Sequence, residues 1–283
     1  MSANFVIDCG SRSIKLHSAG RGGVSLKATR SWDPINDTQQ AGRVGALLVD
    51  LTRDVAAKAP IHVVGTAAAR RDQRVADAIG EACAALGWSY ETLSHAREAA
   101  LIRAAFGNRD DCDIVNAGGG SIQIVTAEGG VALLDFGISD LSRDFGLHGA
   151  PQERRIAEAT AFVAARLPRL DRPFIYSGGE LTYLRALGAA VDGEGACTAA
   201  EFERVARHFD GLDAAAQQAL SPFDAGWTSG AVASNAIVRA ALSASGAGHY
   251  IASDINIADG IIVSLAEARG ASPGEETEFR QVE

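Results

Sequence analysis

A chain of 283 residues with 47% apolar and 22% charged side chains is long enough for two ordinary cores and is expected to be a soluble globular protein. Its formal net charge of −9 argues against a nucleic-acid surface, while a local basic pocket inside such a protein would still suit a phosphate ligand. Cys9, Cys83, Cys112 and Cys197 show neither metal-ligand spacing nor a disulfide framework and read as buried thiols in a reducing compartment; no leader or membrane-length apolar run is seen, so the cytoplasm is expected.

The first recognisable unit is Phe5-Val-Ile-Asp8-Cys-Gly10-Ser-Arg-Ser13-Ile-Lys-Leu16, two apolar strands around a turn of small residues. Residues 23–29 alternate apolar and polar side chains as a third strand would. From Thr38 to Ala57, Val44, Leu47, Leu48, Leu51 and Val55 fall three and four apart, the spacing of an amphipathic helix capped at Asp37 or Thr38 and ended by Pro60. Ile61 to Val64 reads as a buried strand, 70–86 as a helix ended by Gly87, 90–93 as a strand and 96–106 as a helix. The order βββαβαβα is that of an α/β domain with a mixed sheet. The polar stretch 108–111 marks the boundary, giving domains at 1–111 and 112–269 and a solvated tail at 270–283.

The second domain begins with Asp113-Ile-Val-Asn116-Ala-Gly118-Gly119-Gly120-Ser121-Ile-Gln123-Ile-Val125, a glycine turn between β-branched strands. Residues without Cβ can enter positive φ, and their backbone N–H groups can converge on one anion. On its own this is equally an ordinary tight hairpin. The first hairpin repeats its offsets, however: both read Asp or Asn, x, Gly, x, x, Ser, Ile. That predicts a duplicated domain in which each half brings one phosphate loop to a shared cleft. Strands at 131–134, 173–176 and 249–252 follow, with helices at 151–167, from Leu181, at 198–209 and at 226–244, and a last helix opened by Asp259-Gly260 closes the second domain.

These landmarks resemble the acetate kinase, sugar kinase, Hsp70 and actin superfamily. Gly65-Thr66 with Arg70, followed by Leu93-Ser94-His95-Ala-Arg97-Glu98-Ala-Ala100-Leu-Ile102, looks like the exopolyphosphatase and guanosine pentaphosphate phosphatase family, collinear over about residues 3 to 268. The resemblance implies two RNase-H-like, actin-like ATPase domains facing across a cleft. It implies that Asp8, Gly10, Ser11 and Ser13 form one phosphate loop and Gly118, Gly119, Gly120 and Ser121 the other; Arg12 at the first hairpin's tip is expected to point toward the cleft and add to phosphate binding. Arg70, with Arg71 and Arg74 beside it, would bind phosphate; Glu98 would activate or orient water; Asp8 would hold Mg²⁺; Gly178 and Gly179 would face a nucleotide base or phosphate chain.

Asn116 and Gln123 stand where the family carries carboxylates, and an amide is a weaker Mg²⁺ ligand and no base. His95, Arg97 and Ala100 also depart from the family pattern, as does the lack of an arginine after Gly260. The function implied is hydrolysis of terminal phosphoanhydrides in polyphosphate or guanosine pentaphosphate. A phosphate- or nucleotide-binding regulator without turnover and a repurposed ATP-using enzyme are the alternatives. The expected partner is a phosphate-rich small molecule (polyphosphate, guanosine polyphosphate or ATP), with no nucleic acid or membrane, and a homodimer is compatible with the pattern.

Overall fold

The computed structural model describes residues 5–20, 23–34, 38–55, 59–107, 109–223 and 226–268; the expected tail, the Asp37 cap and the last two residues of the helix expected over 38–57 lie outside them. The chain divides into two compact units, the first comprising residues to 107 and those from 257, the second comprising 108–256.

In the first unit, strands β1 (Phe5–Cys9), β2 (Ser13–Gly20) and β3 (Gly23–Ser31) form an antiparallel meander. Helices α1 (Thr38–Ala41) and α2 (Val44–Leu51) follow, so the single helix read from periodicity is interrupted at Gly42-Arg43, where a residue without Cβ weakens the helix. Strand β4 (Ile61–Gly65) lies parallel to β1, and β5 (Ser89–Thr92) parallel to β4, giving the order β3-β2-β1-β4-β5. Between them, α3 (Ala67–Arg71) and α4 (Gln73–Leu86) divide at Asp72, whose side chain caps α4 by accepting from Arg74 N. Gly87 ends α4 in the left-handed region at φ 70°. Ile7, Ile14, Leu16, Leu48, Val63 and Ile79 fill the core beneath α2 and α4. Helix α5 (His95–Ala105) is capped by Ser94, which accepts from Arg97 N, and turns Glu98, Leu101, Ile102 and Ala105 inward.

The second unit repeats the plan. Strands β6 (Asp113–Ala117), β7 (Ile122–Val125) and β8 (Val131–Leu134) form the meander; α6 (Ile138–Asp144) and α7 (Glu153–Ala164) follow; β9 (Phe174–Ser177) runs parallel to β6. After α8 (Glu180–Ala186), β10 (Ala196–Thr198), α9 (Ala199–Asp210), α10 (Ala214–Ala219), a 3₁₀ turn at Trp227–Gly230 and α11 (Ala231–Ser245), strand β11 (His249–Ser253) joins β9 in parallel. The sheet order β8-β7-β6-β9-β11 matches that of the first unit, with β10 added at the edge. Phe174 and Tyr250 stack at 5.4 Å in a core that also buries Phe202 and Phe209. The two mixed sheets, each covered by helices, are the α/β class expected.

Helix α12 (Ile257–Ala268) corrects one expectation. It belongs to the first unit, packed against α5, rather than closing the second domain. The reason is backbone contact: a Cβ on Gly260 would collide with the backbone carbonyl of Leu101 on α5. Arg97 adds a hydrogen bond to Ser264 Oγ at 3.1 Å. Among the described residues, no helix is long and apolar enough to cross a membrane.

Candidate functional site

The first hairpin closes through Gly10 N donating to Ser13 O at 3.0 Å. Trp32 braces it from β3's end, with Nε1 donating to Gly10 O at 2.7 Å and its backbone N to Arg12 O at 3.0 Å. Two buried polar atoms in this turn, Asp8 Oδ1 and Ser11 Oγ, have no hydrogen-bond partner among the described residues. Burial pushes the Asp8 carboxyl up, against the opposing pull of Lys15, its register partner across the hairpin, and of Arg70. Burial lowers the Arg12 guanidinium and Asp33 opposes that shift, so Asp33 offsets part of the charge assigned to a phosphate. The Cys9 thiol is pushed well up by burial, which leaves no nucleophile there.

The end of β4 is tied to this turn. Thr66 N donates to Cys9 O at 3.2 Å, and Arg70 N donates to Thr66 O at 3.0 Å, so the short helix α3 aims Arg70 back along the sheet's carboxyl edge. Arg70 Nη1 lies 2.7 Å from Glu98 Oε2 and also donates to Leu93 O at 2.8 Å. Both side chains are nearly buried, at 12% and 6% exposure, so this is an interior ion pair. Arg70 and Glu98, expected from the sequence to bind phosphate and to orient water, are therefore paired with each other. The basic patch is smaller than expected: Arg74 Nη2 pairs with Asp72 Oδ2 at 2.5 Å.

The second hairpin closes in the same way, Gly118 N donating to Ser121 O at 2.9 Å. Its glycines do not take the conformation expected. None of Gly118, Gly119 and Gly120 has a positive φ. Instead the start of α6 lies directly on them: Ile138 N donates to Gly118 O at 2.9 Å and Ser139 N to Gly119 O at 2.8 Å, and a Cβ on Gly137 would collide with the loop backbone. Ser139 Oγ is buried there without a hydrogen-bond partner among the described residues. Asn116 and Gln123, register partners on β6 and β7, bond directly, Asn116 Nδ2 to Gln123 Oε1 at 2.7 Å. Gln123 Nε2 continues to Ser121 Oγ at 3.0 Å, while Ser177 Oγ lies 3.3 Å from Asn116 Oδ1 and 2.8 Å from Ile255 O.

Gly178 and Gly179 do carry positive φ, 109° and 112°, and both donate their N–H groups to Ser253 O. Those two donors are thus engaged within the protein. The turn leads to Glu180, buried and accepting from Tyr250 O–H at 2.5 Å, its carboxyl pushed up to about 7 by burial. Sequence reasoning passed over Lys15, although the hairpin repeat aligns it with Gln123; Ser139 had no signal beyond the preceding Gly137.

Among the described residues, no group of three or more His, Cys, Asp or Glu could hold a metal ion. Mg²⁺ is commonly held by one or two carboxylates together with water and substrate phosphates, and the unsatisfied Asp8 Oδ1 fits that role. Asn116 and Gln123, neutral and bonded to each other, do not.

Solved structures were compared with the whole chain. A Ppx/GppA family member from Aquifex aeolicus superposes with a TM-score of 0.69 at 18% identity, covering 96% of this chain and 99% of that one. An exopolyphosphatase from Cytophaga hutchinsonii ATCC 33406 gives 0.71 at 13% identity over 96% and 100%, and an exopolyphosphatase-like protein gives 0.72 at 19% identity over 94% and 99%. At identities this low the likeness shows the shared fold alone. No curated protein sequence matches the chain. The Ppx/GppA phosphatase family model matches residues 46–269, most of the sequence, and the chain therefore belongs to the Ppx/GppA phosphatase family.

Proposed function

We propose that the protein hydrolyses the terminal phosphoanhydride of inorganic polyphosphate or a guanosine polyphosphate, with the chemistry centred on the first unit. The observation that carries this reading is the group at one edge of its sheet: Asp8 Oδ1 and Ser11 Oγ buried without partners, tied by Thr66 to the Arg70–Glu98 pair. Unsatisfied buried polar atoms are costly, and a ligand that completes them recovers that cost. In this reading Ser11 and the backbone of Gly10 to Ser13 hold the terminal phosphate. Arg70 offsets charge on the oxygens that become more negative in the transition state, held in place by Glu98 and Leu93 O. Glu98 orients the attacking water through its carboxylate, held in place by its pairing with Arg70. Mg²⁺, where bound on Asp8 and ligand phosphate, supplies charge neutralisation. The Gly118 to Ser121 backbone serves the second unit as a further phosphate cradle.

One observation favours binding without turnover. The amides of Asn116 and Gln123 are hydrogen-bonded to one another and supply neither a base nor a strong cation ligand. Phosphate release from polyphosphate, guanosine pentaphosphate and ATP, each with and without Mg²⁺, separates the readings. Steady release from either of the first two supports hydrolysis. Tight binding without release from any of the three favours the binding protein, and ATP use only with an added acceptor indicates a kinase-like or biosynthetic role.

A further inference from the structure

Each sheet ends in two outer strands, β3 and β5 in the first unit, β10 and β8 in the second. An outer strand offers a row of unpaired N–H and C=O groups to any other chain, and proteins block it with charge, a bulge or a cover. Three of the four are blocked. In β3, Lys27 is the residue left without a register partner where the pairing with β2 shifts, and Arg30 adds a second charge, paired with Asp50 at 2.6 Å. Strand β5 carries Glu91. Strand β10 has three residues and is covered by the chain leading into it: Ala196 N donates to Asp192 Oδ1 at 2.8 Å, and Ala196 O accepts from Asp192 N at 3.2 Å.

Strand β8 has none of these devices. Val131-Ala-Leu-Leu134 carries no charge, shows no break in its register against β7, and makes no hydrogen bond outside that ladder among the described residues. Val131 and Leu133, two residues apart and so on one face, are 56% and 38% exposed. We propose that this edge pairs antiparallel with β8 of a second copy of the chain, joining two six-stranded sheets into one. A two-fold contact requires a surface complementary to itself. Residues directly opposite in an antiparallel pair share a face, so the two-fold axis passes through a residue rather than between two. With the axis at Ala132, Val131 lies opposite Leu133 of the other copy and Gly130 opposite its Leu134. Both exposed side chains are then covered, and Asp135 meets Gly129. With the axis at Leu133, Val131 would instead lie against Asp135. The apolar pattern of the strand is thus matched by its own copy in the register centred on Ala132. A contact built on a four-residue strand falls at or below the smaller specific interfaces, about 1,200 Å² in total, so monomer and dimer exchange with concentration.

Sedimentation velocity of the full chain from about 1 to about 100 μM, where a weak interface responds to mass action, reads the association. The wild type is expected to shift from monomer to dimer and no further. Leu133→Lys, at an exposed position, should keep the melting temperature and associate at least about tenfold more weakly, because it places a charge on the pairing edge. Two cysteine variants test the register; Cys9, Cys83, Cys112 and Cys197 are buried and do not compete. Val131→Cys and Leu133→Cys should each fail to form a disulfide-linked dimer alone, since like positions lie two residues out of register, and should link when mixed under mild oxidation. A wild type that stays monomeric throughout, growth beyond a dimer, association undiminished in Leu133→Lys, or no linkage on mixing would overturn the proposal. So would Leu133→Cys linking to itself, which belongs to the other register. The cysteine pair adds no charge, so its result decides the proposal even if Leu133→Lys does not fold.

Discussion

Glu98 occupies the apolar face of α5 among Ala99, Leu101 and Ile102, and a carboxylate in that setting is tolerated because Arg70 meets it at 2.7 Å. Removing one partner of an interior pair leaves the other charge uncompensated, at a cost of about 3–5 kcal/mol. Glu98→Gln retains the shape and a hydrogen-bonding oxygen, so it should fold while lowering turnover by about 10²-fold, the scale of a lost acid–base group, with ligand affinity little changed. Arg70→Ala should instead weaken binding of the polyanion, since a charge-assisted hydrogen bond is worth about 1.5–3 kcal/mol in ground and transition states alike. Measuring kcat and affinity for both variants distinguishes the roles; wild-type turnover in Glu98→Gln would remove it from the mechanism. The expected site residues Asp8, Arg70 and Glu98 all lie in the first unit. The pairing is not legible in the sequence: Glu98 and Arg70 are 28 positions apart, and nothing local announces that one carboxylate answers the other.

His17 shows a second consequence of burial. It lies on β2 at 3% exposure, with Nε2 lacking a partner, and burial, reinforced by Lys15, pushes its pKa down to about 3. An unfolded histidine titrates near 6.5, so the folded state is favoured by keeping this ring neutral. That contribution is present above about pH 6.5 and is lost as pH falls toward 3. His17→Gln should therefore lose less stability than the wild type across that window in denaturant titrations at stepped pH; parallel curves would show that His17 does not contribute.

At the scale of elements, close backbone contact explains two glycines that composition could not. Gly137 brings the start of α6 onto the loop at Gly118 to Gly120, and Gly260 brings α12 onto Leu101 of α5. Overpacking a tight contact costs about 1–3 kcal/mol, and here backbone rather than a flexible side chain would have to move. Gly260→Ala should accordingly lower the melting temperature by several degrees, whereas an unchanged value would contradict the close packing of α12 and α5. The hairpins, the succession of elements in the first domain and most helices are visible as periodicity because each has one buried face. The breaks at Gly42-Arg43 and Asp72, helix α6 and the attachment of α12 are not, since each depends on partners remote in sequence. The glycine triplet illustrates the limit: its position is readable, but neither the absence of positive φ there nor the start of α6 lying on the loop is.

For the molecule as a whole, the repeated strand order supports a duplicated architecture, and the duplication makes the difference between its halves informative. One hairpin has, among the described residues, unsatisfied oxygen atoms beside an ion pair; in the other, Asn116, Gln123 and Ser121 bond to one another. Family membership and fold set the chemistry within reach, and the proposed reading places it in the first unit because of these side-chain differences. The most direct test is hydrolysis of a polyphosphate of defined length in ¹⁸O-labelled water, followed by mass analysis of the released phosphate. Water attack at the terminal phosphorus predicts that each phosphate released carries one ¹⁸O atom and that the chain shortens from its end; unlabelled phosphate, or a ligand bound but intact after prolonged incubation, would contradict the account.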